Sequence, residues 1–160
     1  MPKRIILDKT FLRIAREISK LSNCVSHKVG CVLVKDGRIV SMGYNGTPAG
    51  YINCDEKFGH LLWDGELPEK HRSEHHRFSM AHEIHAEKNA MLFAAKNGIA
   101  IDGCTCYCTL QPCGMCIKEM CQVNVRRVVF IQEYDLRDGV DDELNEMARQ
   151  AGIELEQIDV

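Results

Sequence analysis

The 160-residue chain is 45% hydrophobic and 27% charged, a balance that excludes wholesale disorder and fits a single domain over residues 1–160. Twenty basic against 23 acidic side chains leave a formal charge of −3, without the basic stripe that a polynucleotide binder carries. No run of 18 apolar residues is present, which excludes a transmembrane helix. The basic opening residues lack the apolar stretch of a signal peptide, so a cytoplasmic location is expected.

In chain order, Phe11, Leu12, Ile14, Ala15, Ile18 and Leu21 make a stripe that predicts a helix over 8–21, capped by Asp8 or Thr10. β-Branched runs over 29–35 and 38–43, joined by Asp36-Gly37, predict a hairpin. A helix is predicted over 83–97 with Gly98 as its stop, then a strand over 105–110 and a short helix after Pro112. A strand over 127–131, a helix over 141–150 ending at Gly152 and a strand over 153–158 complete the chain. One hairpin followed by alternating helices and strands implies an α/β fold, a mixed sheet covered by helices on both faces.

Residues 44–82 break this pattern. The segment has little periodicity, contains Gly46, Pro48, Gly50, Gly59, Gly65 and Pro68, and reads as a long loop. Loops of that length are functional or tied down. This one holds Cys54, His60, His71, His75, His76 and His82. Phe58 and Trp63 are expected to pack within it.

Nine cysteines in a cytosolic chain point to metal or catalysis before disulfides, and an odd number cannot form a complete disulfide framework. His85-Ala86-Glu87 opens one predicted helix and Pro112-Cys113-Gly114-Met115-Cys116 opens the next. One His and two Cys leave a tetrahedral zinc ion a fourth position for water, which is what a catalytic site needs. Pro112 is tolerated at a helix start, and a helix N-terminus favours thiolate over thiol. A carboxylate beside a zinc-activated water can take its proton and pass it on, the role read for Glu87. The paired motif, His-x-Glu and Pro-Cys-x-x-Cys, is the signature of zinc deaminases of nucleobases.

Three segments carry a fuller likeness: Lys28 to Gly50, Glu83 to Ala90, and Tyr107 to Cys116. Over residues 8 to 155 the chain resembles the zinc-dependent cytidine/deoxycytidylate deaminase family, and within it the bacteriophage dCMP-deaminase branch. Gly43-Tyr44-Asn45-Gly46 favours that branch over free-nucleoside or tRNA deaminases. The resemblance implies a cytidine-deaminase-like three-layer α/β/α sandwich with a mixed five-stranded sheet. It implies conversion of dCMP to dUMP and ammonia, supplying dUMP for thymidylate synthesis. His85, Cys113 and Cys116 are then the catalytic zinc ligands and Glu87 the proton shuttle. Asn45 contacts sugar and base, while the backbone at Ala86 and at Thr109-Leu110 lines the cytosine pocket. Lys28 and the Tyr134–Arg137 loop are candidates for the phosphate.

A second metal site is expected. Cys24, Cys54 and the pair His71 and His75 form a Cys₂His₂ set with a standard His-x₃-His spacing, and a closed site of that kind is structural. Binding a metal there would fasten the long loop. The phage enzymes that the chain resembles have a structural zinc, and these four positions match; His60 and His76 are the substitutes. Cys31, Cys104, Cys106, Cys108 and Cys121 are read as small packing hydrophobes.

The resemblance further implies a homo-oligomer, typically a hexamer, activated by dCTP and inhibited by dTTP, with magnesium accompanying the triphosphates. It places the effector at Gly43, Tyr44, Asn45 and Gly46, where a Gly-bracketed turn can cradle phosphate. Phe93 is expected on the exposed or interface side of its helix. Related enzymes carry Arg where this chain has Lys96, and Lys lacks the bidentate fork. Two competing readings are a deaminase acting on dCTP or on a polynucleotide base, and a non-catalytic zinc-stapled nucleotide-binding module.

Overall fold

The turn between the first two strands shows how local chemistry sets the scaffold. Asp36 and Gly37 have φ values of 51° and 72°, the left-handed pair that a two-residue hairpin turn requires. They join β1 (Gly30–Lys35) to β2 (Arg38–Tyr44), antiparallel, with a register shift between Leu33 and Val34. The structure is a computed structural model and describes residues 3–133 and 140–160. Its other strands are β3 (Thr105–Leu110), β4 (Arg127–Gln132) and β5 (Glu154–Gln157). The sheet order is β2-β1-β3-β4-β5, with β3, β4 and β5 parallel and β1 antiparallel to both its neighbours.

Side chains alternate across the central strands. Cys31, Leu33, Cys106, Cys108, Val128 and Phe130 enter one core, while Val32, Val34, Tyr107 and Val129 enter the other. The helix α1 (Lys3–Ser19) covers the second face with Phe11, Leu12 and Ala15. The first face is covered from α4 (Ala86–Lys96), α5 (Gly114–Gln122) and α6 (Val140–Gln150). Helices on both faces of a mixed five-stranded sheet are the three-layer sandwich expected. Close approach sets two of these contacts: a Cβ on Gly30 would fall on the Ala15 carbonyl, and one on Gly43 on the Ala86 carbonyl. Among the described residues no helix is long and apolar enough to cross a membrane.

The long segment after β2 departs from the sequence reading. It holds α2 (Cys54–Phe58), a short 3₁₀ turn (Gly59–Leu61) and the 14-residue α3 (Glu69–His82). α3 escaped the periodicity test because its sequence is almost wholly polar; its buried residues are His75 and Phe78. These pack with Cys24, Cys54, Phe58 and Leu67 into a small third core. Phe58 is buried there against the rings of His75 and Phe78, but Trp63, expected to pack, is 80% exposed.

Two helix starts also differ. α1 begins at Lys3, so Asp8 lies inside the helix and is buried rather than capping it. There its carboxylate accepts from Arg127 at 2.7 and 2.9 Å and from the Tyr107 hydroxyl at 2.7 Å. The helix expected from residue 83 begins at Ala86, because Glu83 and His85 have extended backbone, with ψ of 136° and 153°.

Candidate active site

His85 and Cys113 occupy equivalent places: each is the residue before its helix, α4 and α5. Extended backbone there turns each side chain out toward the other. His85 Nδ1 lies 3.4 Å from Cys113 Sγ and 3.5 Å from Cys116 Sγ, and the three donor atoms lie within 4.8 Å of one another. The first turn of α5 stabilises negative sulfur. The Cys113 thiol is held well below its ordinary value by the neighbouring Cys116 and His85 side chains, while the same neighbour and burial push Cys116 up. Two sulfurs and one imidazole at this spacing fit a zinc ion with one side open.

The open side faces a cavity of about 120 Å³ lined by His85, Ala86, Glu87, Leu110, Cys113 and Asn45, among others. Glu87 sits in the first turn of α4, only 3% exposed, with an oxygen 4.0 Å from Cys116 Sγ. Burial pushes its pKa up to about 7, so its carboxyl can both hold and release a proton near neutrality.

Asn45 shapes the cavity wall. Its Oδ1 accepts from the Val29 N–H and its Nδ2 donates to the His27 carbonyl, both at 2.8 Å. The Ser22 hydroxyl donates to the Asn45 carbonyl at 2.8 Å. Gly46 and Ile84 exchange backbone hydrogen bonds at 3.1 and 2.8 Å, which ties this turn to the residue before His85. Thr109 is half-buried and its hydroxyl accepts from Gly30 N–H at 3.1 Å. Lys28 is exposed beside His27, itself a lining residue. Tyr134 and the rest of the 134–137 segment lie outside the described residues.

A second donor group adjoins the same cavity, to whose wall Cys24, His75 and Glu83 contribute. Cys24 and Cys54 meet His75, with Sγ to Nε2 distances of 3.6 and 3.3 Å. Cys24 is lowered to about 6 by the hydrogen bond from Cys54. His71 is not in this group: it is half-buried one turn earlier on α3, while the sulfurs converge on His75. His60 and His76 are not in it either. Glu83, which no spacing in the sequence marks, adjoins the group at Cys24. Its Oε2 is 3.6 Å from Cys24 Sγ and accepts from Ser79, and its Oε1 is buried without a partner. A carboxylate oxygen buried near a thiol without a partner is costly unless a cation is present, so this donor set also fits a metal.

A larger cavity, about 660 Å³, shares Asn45 with the first and is lined by Gly43, Tyr44, Asn45 and Gly46 with Phe93 and Lys96. Phe93 is 52% exposed. Asn89 of α4 donates to the Tyr44 carbonyl at 2.8 Å.

Comparison with known proteins agrees with this geometry. The model of the cytidine and deoxycytidylate deaminase zinc-binding region matches residues 6–132. The deoxycytidylate deaminase of Enterobacteria phage T2 is 43% identical over 171 aligned residues, covering 91% of this chain and 89% of that protein. That of Saccharomyces cerevisiae is 31% identical, covering 94% of this chain and 44% of the yeast protein. Among solved structures, the dCMP deaminase of cyanophage S-TIM5 in complex with dCMP and dUMP is 34% identical and covers 99% of each chain, with a TM-score of 0.71. The chain belongs to the cytidine and deoxycytidylate deaminase family.

Proposed function

We propose that the chain is a zinc-dependent dCMP deaminase, converting dCMP and water to dUMP and ammonia. The observation that carries this reading is the convergence of His85, Cys113 and Cys116 beside buried Glu87 at one cavity. His85, Cys113 and Cys116 would hold the zinc ion, which would supply Lewis acidity and a water that is acidic near neutral pH. Glu87 takes one proton of the attacking water on its carboxylate and passes it to the ring nitrogen N3, then takes the remaining proton from the new C4 hydroxyl and delivers it to the departing amine. Ala86 and Leu110 bound the cavity where the base sits, and Asn45 fixes the 27–29 segment along its wall. Lys28 and the Tyr134–Arg137 segment are the proposed phosphate contacts.

The test is ammonia release from dCMP, dCTP, deoxycytidine and single-stranded DNA, with zinc measured on the same sample. Turnover of dCMP alone is expected. A zinc-loaded protein that turns over none of them would establish the binding-module reading.

The second donor group supports a structural zinc. The proposed ligands are Cys24, Cys54 and His75, with Glu83 in the place first given to His71. The larger cavity supports a regulatory site for dCTP and dTTP with magnesium. Lys96 offers a cation there, and Asn45 lines both cavities. Addition of dCTP with magnesium is expected to make the dCMP saturation curve less sigmoidal, and identical curves would reject the site. A homo-hexamer is expected by light scattering.

A further inference from the structure

Three cysteines read from the sequence as packing residues come together in the buried core against the sheet. Cys31 of β1 stands opposite Cys108 of β3, and Cys106 lies two residues before Cys108 on the same face of the sheet. Cys31 Sγ is 3.5 Å from Cys106 Sγ, Cys106 Sγ is 3.9 Å from Cys108 Sγ, and all three sulfurs lie within 4.8 Å of one another. None is exposed and none is in a disulfide. Sulfurs bound to one atom through bonds of about 2.3 Å stand roughly 3.8 Å apart at tetrahedral angles. Two of the separations are of that size and the third is within 4.8 Å, so the three sulfurs can converge on one atom through small side-chain adjustments.

Charge decides which atom. Around the sulfurs the core is apolar, with Ala86, Ala90, Ile117, Met120 and Phe130 in the same cluster. A divalent zinc ion with three thiolates would carry one negative charge and copper(I) two. Either would leave a net charge in a buried apolar medium that penalises it. A trivalent metalloid with three thiolates carries none.

We propose that Cys31, Cys106 and Cys108 form a trithiol site for a trivalent metalloid oxyacid, of which arsenous acid is the probe. Three As–O bonds and three S–H bonds break, three As–S bonds form, and three water molecules leave. The oxidation state of arsenic does not change and the product is neutral. The site is separate from both zinc donor groups and independent of the substrate assignment.

Zinc-loaded enzyme is incubated with arsenous acid and desalted, then arsenic and zinc per chain are measured and the arsenic environment is read by X-ray absorption. One arsenic with three sulfur neighbours and undiminished zinc is expected. Arsenic gained in step with zinc lost would overturn the proposal, because the metal would have been displaced from the other groups. In Cys31→Ala with Cys108→Val, arsenic affinity is expected to fall at least roughly tenfold while zinc is retained. Cys121→Ala is expected to bind as the parent does. Equal uptake by the double variant, or uptake of a third zinc that depends on these cysteines, would refute the site. The absorption spectrum of the unaltered protein decides the matter even where the double variant does not fold.

Discussion

The Lys88 ammonium lies 2.7 Å from a Glu119 carboxylate oxygen, joining α4 to α5. Those are the two helices whose starts carry His85, Cys113 and Cys116, so the pair ties together the elements that hold the donor group. Both side chains are about one-third exposed, 35% and 37%, and water weakens such a pair. A double-mutant cycle of Lys88→Met and Glu119→Gln is expected to give about 0.5 kcal/mol of coupling in urea unfolding. A coupling indistinguishable from zero would leave helix packing alone as the brace.

Glu87 is buried and lies in the turn after His85. Glu87→Gln keeps the shape of the side chain and the zinc donors but cannot carry the proton. Turnover of dCMP is expected to fall by roughly 10²–10⁴-fold with zinc content unchanged. Retained turnover would remove Glu87 from the proton path.

The second donor group joins residues from before β1, from α2 and from α3. Cys24→Ala is expected to lower zinc by one per chain. It should loosen α2 and α3, read as faster amide exchange over residues 54–82, while the His85 group keeps its metal. Glu83→Gln should bind that zinc more weakly and His71→Ala should not. The reverse order would restore His71 as the ligand.

Asp8 is a carboxylate buried beside Arg127, whose second partner is Glu156. Burial works to raise its pKa, but the hydrogen bonds from Arg127 and Tyr107 prevail and hold it below the ordinary value. A depressed carboxylate contributes stability that is present above its unfolded pKa of about 3.9 and is lost as pH falls through the lower folded value. Asp8→Asn is therefore expected to cost about 3 kcal/mol at neutral pH, since it leaves Arg127 under-paired. The gap from the parent should narrow at pH values well below ~4. Acid strips zinc from both proteins, so the difference between them in urea unfolding is the quantity to follow. A gap independent of pH would show that Asp8 packs rather than pairs.

Much of the catalytic centre was legible in the chain because its signals are local. Asp36-Gly37 sets a turn by its own backbone preferences, and Cys113 and Cys116 share the start of one helix. His85 and Glu87 needed only the boundary of α4, which the sequence reading missed by three residues. Other features have no local signal. α3 is a helix whose buried residues are one histidine and one phenylalanine in an otherwise almost wholly polar sequence, so hydrophobic periodicity was silent about it. A His-x₃-His spacing puts two rings on one helix face, but only the position of Cys24 and Cys54 selects His75 and brings in Glu83. The register between β1 and β3 is what makes three scattered cysteines neighbours. Spacing along a chain encodes what one turn or one helix can do; which distant side chains share a point in space follows from strand pairing and helix packing, and those are settled only when the whole core closes.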